Sequence, residues 1–370
     1  MRIIFITSDL NDPRILKRVR EFYTNGYDVS IFAINRNKYT LEIDSKYNCK
    51  IIGHFSNATP YLIRIPVLLK LVKAAVKKQN NNVCYYIFGL ECAIAYRFLF
   101  KIKKYKYIYE ECDMLHENIH NKCISDYLEK TDKKIIKDSL LSVFTSEGFV
   151  KYHFRVNEIS NFAIIPNKLS EEIVDCEDIP KEKSNKLRIG FVGSIRYMSI
   201  KNFAKVLCEN FPYLDFHFYG SFSAPVSEKL FEPLKQYSNC YFHGRFSKQK
   251  DLPKIYSTLD LVLSTYDTNS INVRFAEPNK LYEAIYFSTP IIVSSGTFLS
   301  EKVHELGVGF SINAMNDDEI ISFVKNLTID MVQEKRNNII KLGREYAISN
   351  NSVFFERISK LLYNEFDLYT

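Results

Sequence analysis

Residues 188–220 read RIGFVGSIRYMSIKNFAKVLCENFPYLDFHFYG. The stretch opens on an apolar run, RIGFVGS, breaks at Gly193-Ser194, and continues as a helical pattern from Ser199 to Phe211. It closes on a second apolar run, LDFHFYG. Strand, turn, helix, strand is the repeating unit of a parallel sheet covered on both faces. Downstream the same alternation predicts a helix at 226–237, strand CYFHG, a helix at 249–258 and strand DLVLST. A helix from Pro278, strand PIIVSS and helices near 299–306, 317–327, 329–347 and 352–366 follow.

Upstream, the alternation starts at the first residues. RIIFITS is a strand, and Pro13 to Thr24 reads as a helix with Asp12 as cap and Pro13 in its first position. Ile15, Val19, Phe22 and Tyr23 fall on one stripe of that helix, which predicts their burial. DVSIFAI is the next strand. Further strands are predicted at 83–88, 105–109, 141–145 and 162–166, with helices near 62–79, 91–102, 124–139 and 147–153. Residues 170–187 are polar, acidic and interrupted by Pro180, which marks a linker. The expectation is α/β with two doubly wound, Rossmann-like domains facing across a cleft. Residues 1–168 form the first domain, 169–186 the linker and 187–345 the second, and a C-terminal helix in 346–370 packs back on the first. Ligands of such sheets sit beyond the carboxyl ends of the strands.

Composition narrows the function. The chain has 370 residues, 46% hydrophobic and 25% charged, ordinary for a globular protein of two domains. No apolar run approaches the roughly 18 residues that span a bilayer, and the N-terminus turns polar too early for a signal peptide. The eight cysteines form no CxxC pair, so neither a zinc site nor a disulfide framework is indicated, and a reducing cytoplasm is expected. The first strand is followed by DLNDPR, without the GxGxxG of a dinucleotide site, which argues against an oxidoreductase.

Two stretches carry chemistry. In GFVGSIRYMSIK, residues 190–201, Gly193 and Ser194 turn the chain at a strand end, where backbone amides and a helix start favour an anion. Arg196 and Lys201 add a forked donor and a point charge for a diphosphate. In EPNKLYEAIYFSTPIIVSSGTF, residues 277–298, Glu277 stands beside the positive end of a helix. Asn279 and Glu283 share one helical face, and Leu281, Ala284 and Ile285 turn to the core. Glu283 either accepts both hydroxyls of a ribose or pairs with Lys280. Ser295-Gly296-Thr297 makes another turn able to offer amides to phosphate or sugar.

PNKLYEAIYFSTPIIVS resembles the donor-binding signature of retaining family-4 glycosyltransferases, enzymes of the GT-B fold. DPRILKRVREFYTNGYDVSIFAI, YEECDM, FTSEGFVKYH, IIPNK, GFVGSIRYMSIK and YFHGRFSKQKDLPKIYSTLDLVL resemble further motifs of that family, in the family's order. The resemblance implies transfer of a sugar from a nucleotide-diphosphate sugar, UDP ahead of GDP, with retained anomeric configuration. The acceptor would be a glycan or a polyprenyl-diphosphate-linked glycan in cell-surface polysaccharide assembly. By position, Arg196 and Lys201 stabilise the leaving diphosphate, and Glu283 binds the ribose. Gly193, Ser194, Glu277, Asn279, Lys280, Leu281, Gly296 and Thr297 belong to the donor side. Asp113, Arg14, Ser146 and Glu147 belong to the acceptor side.

Two positions depart from the family. Phe275 stands where many relatives have the first glutamate of E-x7-E, with Glu277 two residues later. Cys112 stands where many have histidine before the aspartate, with His116 and His120 on the next turn. No Asp-x-Asp pair occurs, so no metal or other cofactor is expected on the diphosphate. A GT-B nucleotide-sugar epimerase and an inactive sugar-binding homologue are the competing readings.

Charge is uneven. Residues 1–168 carry 27 Lys and Arg against 17 Asp and Glu, and the remainder carries 23 against 26. RFLFKIKKYKY at 97–107, Lys70, Lys73, Lys77, Lys78 and the basic first helix predict peripheral docking on an anionic membrane surface. No nucleic-acid motif accompanies the charge.

Overall fold

The structure, a computed structural model, describes residues 1–36, 43–77, 82–100, 106–111, 113–155, 157–170, 179–182 and 186–366. Cys112, Cys176, Lys78, residues 101–105 of the basic stretch and most of 169–186 lie outside the described residues.

The chain divides into two compact units, Met1–Ile165 with Asn350–Thr370, and Pro166–Ser349. In the first, strands β1 (Arg2–Thr7), β2 (Asp28–Arg36), β3 (Asn48–Phe55), β4 (Val83–Phe88), β5 (Tyr107–Glu111), β6 (Leu141–Phe144) and β7 (Phe162–Ile164) form one parallel sheet. Its order is β3-β2-β1-β4-β5-β6-β7. In the second, β8 (Arg188–Val192), β9 (Asp215–Tyr219), β10 (Cys240–Gly244), β11 (Leu261–Ser264), β12 (Ile291–Ser294) and β13 (Gly309–Ile312) form a parallel sheet of order β10-β9-β8-β11-β12-β13. Each sheet is doubly wound. The order reverses between β1 and β4 in one unit and between β8 and β11 in the other, and these are the switch points where such sheets bind ligands.

The central strands are apolar on both faces because helices cover both. Every residue of β4 and β11 is buried. The edge strands β3 and β13 escape the sequence reading for the opposite reason. Of β3 only Phe55 is buried, and of β13 only Ile312, so neither shows a hydrophobic run.

The helix Pro13–Thr24 starts as read, with Asp12 accepting from Arg14 N and Pro13 in the first turn. Its buried stripe differs. Tyr23 is 41% exposed, and Arg18, at 4%, takes the inward position beside Ile15, Val19 and Phe22. Arg18 turns inward because Glu110 of β5 meets it with both oxygens, at 3.1 and 3.3 Å. Tyr86 donates to the same carboxylate and Glu21 takes the other side of the guanidinium. A buried ion pair is tolerable only when satisfied this fully.

Among the helices that end earlier than the periodicity suggests, two are cut by a proline or a glycine. The one predicted at 226–237 stops at Phe231 and continues as a tight turn over Glu232–Gln236, because Pro233 has no N–H to give. The one predicted at 329–347 stops at Leu342, with Gly343 next and a turn over Arg344–Ala347.

The unit boundary falls at Ile165, three residues before the sequence places it. Leu169 N donates to Ala347 O and Ser349 N to Leu169 O, which ties that strip to the second unit. The described linker residues are likewise anchored: Lys181 Nζ donates to Tyr256 O at 2.6 Å, to Leu259 O and to Thr289. Burial pushes that amine down to about 7. Helix Ser352–Phe366 puts Phe354, Phe355, Ile358 and Leu362 into the core of the first unit. Phe22 is the hub there, in edge contact with Phe5, Tyr86, Phe354 and Phe355.

Phe22→Ala is expected to cost the first unit about 3–5 kcal/mol, read as an earlier transition in chemical denaturation. Tyr23→Ala, at an exposed neighbour, should leave that transition within about 1 kcal/mol of wild type.

Candidate functional site

The carboxyl edge of the second sheet brings the donor-side residues together. β8 ends at Val192, and next comes Gly193, whose N–H donates to Tyr219 O and whose φ is +144°. Next to it Gly220 has φ +143°, and a Cβ there would lie 1.8 Å from Gly193 O. A Cβ on Gly193 itself would lie 2.8 Å from Lys280 Nζ. Gly220 is therefore required by space as well as by φ, and Gly193 by its φ. They let the Lys280 ammonium lie against the end of β8, 4.6 Å from the Phe191 ring centre and 5.8 Å from that of Tyr266. Phe191 belongs to β8 and Tyr266 follows β11, so the charge stands at the switch point.

Lys280 comes from the helix Asn279–Tyr286, which Pro278 opens. Leu281, Ala284 and Ile285 of that helix are buried as read, and Asn279 is exposed. Glu283, 4% exposed, does not pair with Lys280. Its Oε2 accepts from the Tyr256 hydroxyl at 3.0 Å, and Lys248 Nζ lies 3.7 Å from Oε1. Burial, with Glu283 adjoining, holds the Tyr256 phenol well above its usual range, so it stays a donor. Glu277 is buried and accepts from Lys302 Nζ at 2.7 Å. Lys168 lies nearby over the Tyr346 ring at 4.7 Å, its amine lowered by burial and by Lys302.

Ser194 and Arg196 are exposed. The Arg196 guanidinium stacks on Tyr197 at 4.8 Å and donates to its hydroxyl. Lys201 lies in the first turn of the helix Met198–Asn210, half-buried. The open anion site expected at that helix start is already engaged. Asp267, in the turn after β11, accepts from Met198 N at 3.1 Å and Ser199 N at 2.8 Å. The turn after β12 is also partly committed. The Thr297 hydroxyl donates to Ser294 O and accepts from Ser300 N, capping the helix Phe298–Leu306. With its one proton used, that hydroxyl cannot donate to a ligand. The capping box takes the N–H groups of Thr297 and Ser300 and does not use that of Gly296.

The first unit has its own pocket, about 230 Å³, at the β1/β4 switch point. Ser8, Asp9, Glu91 and three arginines line it together with Asp113. Arg36 donates to Glu91 Oε2 at 2.9 Å and Arg64 to Oε1 at 2.8 Å, so one carboxylate bridges two guanidiniums. Arg14 grips Asp12 through two nitrogens and reaches Asp113 at 3.5 Å. Its own helix cap thus offsets the unfavourable charge it adds at the helix start. Ser146 and Glu147 are not among the lining residues. Ser146 is fully buried and caps the helix Glu147–His153, and Glu147 pairs with Lys151 on the surface. Arg36, Arg64, Glu91, Tyr256, Lys302 and Asp267 were not singled out in the sequence. Asp267 alone had a local signal, a carboxylate just past a strand end.

No family model and no curated protein matches the chain. Among solved structures, a sucrose-phosphate synthase from Thermosynechococcus elongatus superposes with TM-score 0.74 at 12% identity, over 100% of both chains. The fold is GT-B. A UDP-forming α,α-trehalose-phosphate synthase from Burkholderia vietnamiensis shares the GT-B fold at TM-score 0.67 and 11% identity, over 98% of this chain and 97% of the other. HepE from Anabaena, in complex with UDP-glucose, does so at TM-score 0.65 and 13% identity, over 98% and 100%.

Tyr256→Phe removes the hydroxyl that orients Glu283 and leaves the ring. If Glu283 holds the donor, nucleotide-sugar KM should rise about threefold to tenfold with kcat little changed, measured by steady-state kinetics.

Proposed function

We propose that the chain is a retaining hexosyltransferase that moves a sugar from a nucleotide-diphosphate sugar, UDP ahead of GDP, to a glycan or lipid-linked acceptor in cell-surface polysaccharide assembly. The observation that carries the reading is the Lys280 ammonium at the switch point of the second unit, with the oriented Glu283 carboxylate one turn further along the same helix. A cation and a carboxylate so spaced suit a diphosphate and a ribose diol. The complexes of HepE with UDP and with UDP-glucose support that choice of donor.

In this reading Lys280, Arg196 and Lys201 neutralise charge on the leaving diphosphate, and Gly296 N–H adds a donor. Preorganised charge of this kind is the largest contribution to catalysis when a leaving anion develops. A diphosphate oxygen takes the acceptor proton. Because cationic side chains supply the charge, no metal is needed on the diphosphate. Glu277, held by Lys302, is the carboxylate nearest in sequence to the position that Phe275 occupies.

The pocket of the first unit is the acceptor subsite in this reading, which favours transfer over epimerisation. Asp9, Asp12, Glu91 and Asp113 face Arg14, Arg36 and Arg64, four carboxylates to three guanidiniums. Such a balanced, hydrogen-bonding surface suits the hydroxyls of a neutral sugar better than an anion. Asp113 and Arg14 orient the acceptor hydroxyl.

No helix among the described residues is long and apolar enough to cross a membrane. The helix Tyr61–Val76 exposes Leu62, Ile63 and Ile65 at its start, and Lys70, Lys73 and Lys77 along its length. Apolar tip and basic flank suit peripheral attachment to the cytoplasmic leaflet.

A thermal-shift panel of UDP-, GDP- and ADP-sugars should single out a UDP-sugar, and with that donor Lys280→Ala and Arg196→Ala should each lower kcat by about 10²–10³. Near-wild-type turnover in both variants would refute the reading. Brief exposure to EDTA should leave the rate unchanged, whereas a loss restored by Mg²⁺ would overturn the metal-free chemistry. Wild type should co-sediment with anionic vesicles at low salt, and Leu62→Glu with Ile63→Glu should abolish it; equal binding by that double variant would exclude this helix as the anchor.

A further inference from the structure

A buried polar cluster in the first unit takes no part in the reading above. Glu111 ends β5, Asp132 lies on the helix Lys122–Asp138, and His153 ends the helix Glu147–His153. Their exposures are 0, 0 and 4%. Among the described residues, these three each offer a ligand atom within 4.8 Å of the others.

The groups are held but not satisfied. His153 Nε2 lies 2.8 Å from Glu111 Oε1, and Tyr109 donates to Asp132 Oδ1 at 2.9 Å. Glu111 Oε2, Asp132 Oδ2 and His153 Nδ1 are buried without a hydrogen-bond partner. His116 adjoins, 2% exposed, its ring centre 6.3 Å from that of His153 and its Nδ1 also without a partner. One buried unsatisfied polar group costs about 1–3 kcal/mol, and a charged one more. Two carboxylate oxygens left bare beside an imidazole in one buried cluster call for something that accepts lone pairs. The residue before Glu111 shows the contrast. Glu110, equally buried, is met by a guanidinium on both oxygens and by a phenol. Among the described residues, no cationic side chain meets Asp132 in that way, and the side chain that meets Glu111 is the imidazole.

We propose that Glu111, Asp132 and His153 form a structural site for a divalent first-row transition ion, Zn²⁺ by donor set, with His116 placed to supply a further nitrogen. Two carboxylates and neutral imidazoles balance a 2+ ion, so the buried assembly carries no net charge. One imidazole nitrogen and carboxylate oxygens are ordinary zinc ligands. At bond lengths of about 2.0–2.2 Å, tetrahedral ligand atoms stand about 3.4 Å apart. The 2.8 Å contact between His153 and Glu111 therefore opens by about half an ångström on binding. Tyr109 would hold the Asp132 carboxylate from outside, as outer partners of metal ligands do. The ion would clamp the end of β5, two residues before Asp113, to the helices Lys122–Asp138 and Glu147–His153. It lies in the first unit and takes no part in the donor diphosphate chemistry.

The test uses the full chain, grown with zinc and purified without chelating resin. Metal analysis after dialysis should find about one Zn²⁺ per chain, falling to background in Asp132→Asn and in His153→Gln, with far-ultraviolet circular dichroism unchanged. The apo protein should gain thermal stability from Zn²⁺, and Co²⁺ should develop the visible absorption of a low-coordinate site. His243→Ala serves as control, because His217 Nδ1 and His243 Nε2 lie 3.0 Å apart on the second unit and could hold zinc adventitiously. Zinc that survives Asp132→Asn, or vanishes in His243→Ala, overturns the proposal. So does an apo chain that shows neither stabilisation nor cobalt absorption, in which case a shared proton or a water satisfies the cluster. If the variants fail to fold, the cobalt titration of the wild-type chain decides.

Discussion

The ammonium of Lys280 lies against the end of β8, 2.8 Å from where a Cβ on residue 193 would stand. That close approach organises the carboxyl edge of the second unit. It needs Gly193 at φ +144°, and Gly193 in turn needs Gly220 beside it, since a Cβ on Gly220 would strike its carbonyl. It needs aromatic walls on two different strands, Phe191 and Tyr266, to hold a cation at the point where strand order reverses. The same helix then carries Glu283 into reach of Tyr256. One placement thus sets a cation and an oriented carboxylate one turn apart, which the proposed reading assigns to a phosphate and a diol.

Helix capping limits how else an anion could be held there. The start of the helix Met198–Asn210 gives two amides to Asp267, and the start of the helix Phe298–Leu306 is closed by its own capping box. A carboxylate at a helix start uses the same partial positive charge that a phosphate would use. In the proposed reading, anion binding on this edge falls to cationic side chains, with Gly296 as the amide the caps leave aside. The tight turn after β12 acts as scaffold more than as ligand.

The first unit solves a different electrostatic problem. Its basic residues are largely consumed internally, Arg18 by Glu110 and Glu21, Arg36 and Arg64 by Glu91, and Arg14 by Asp12. An excess of positive charge counted along the chain thus becomes a hydrogen-bonding pocket of nearly balanced charge. The helix Tyr61–Val76 keeps an exposed apolar tip and lysine flank. Beneath the pocket's neighbouring loop, the carboxylates of Glu111 and Asp132 lack the guanidinium that Glu110 enjoys, and this asymmetry within one strand end is the basis for a metal at that point.

Periodicity alone determined the architecture. Apolar runs such as VCYYIF and LVLS, spaced by amphipathic helices, force parallel sheets with both faces covered, because no other arrangement buries them. The edge strands β3 and β13 were illegible because polar or glycine residues interrupt them, Lys50 and Gly53 in the one, Gly309 and Ser311 in the other. Motif order singled out the turn at Gly193-Ser194 and Glu283 as candidates, since spacing along a helix or past a strand end survives in one dimension. Only the tertiary structure decided which charges are free to act. Whether Arg18 faces inward, whether Thr297 keeps a proton to donate, and whether Lys280 pairs with Glu283 or lies against Gly193 depend on partners from distant segments. Those partners, Glu110, Ser294 and Phe191, are set by packing in three dimensions, and a linear sequence does not encode their distances.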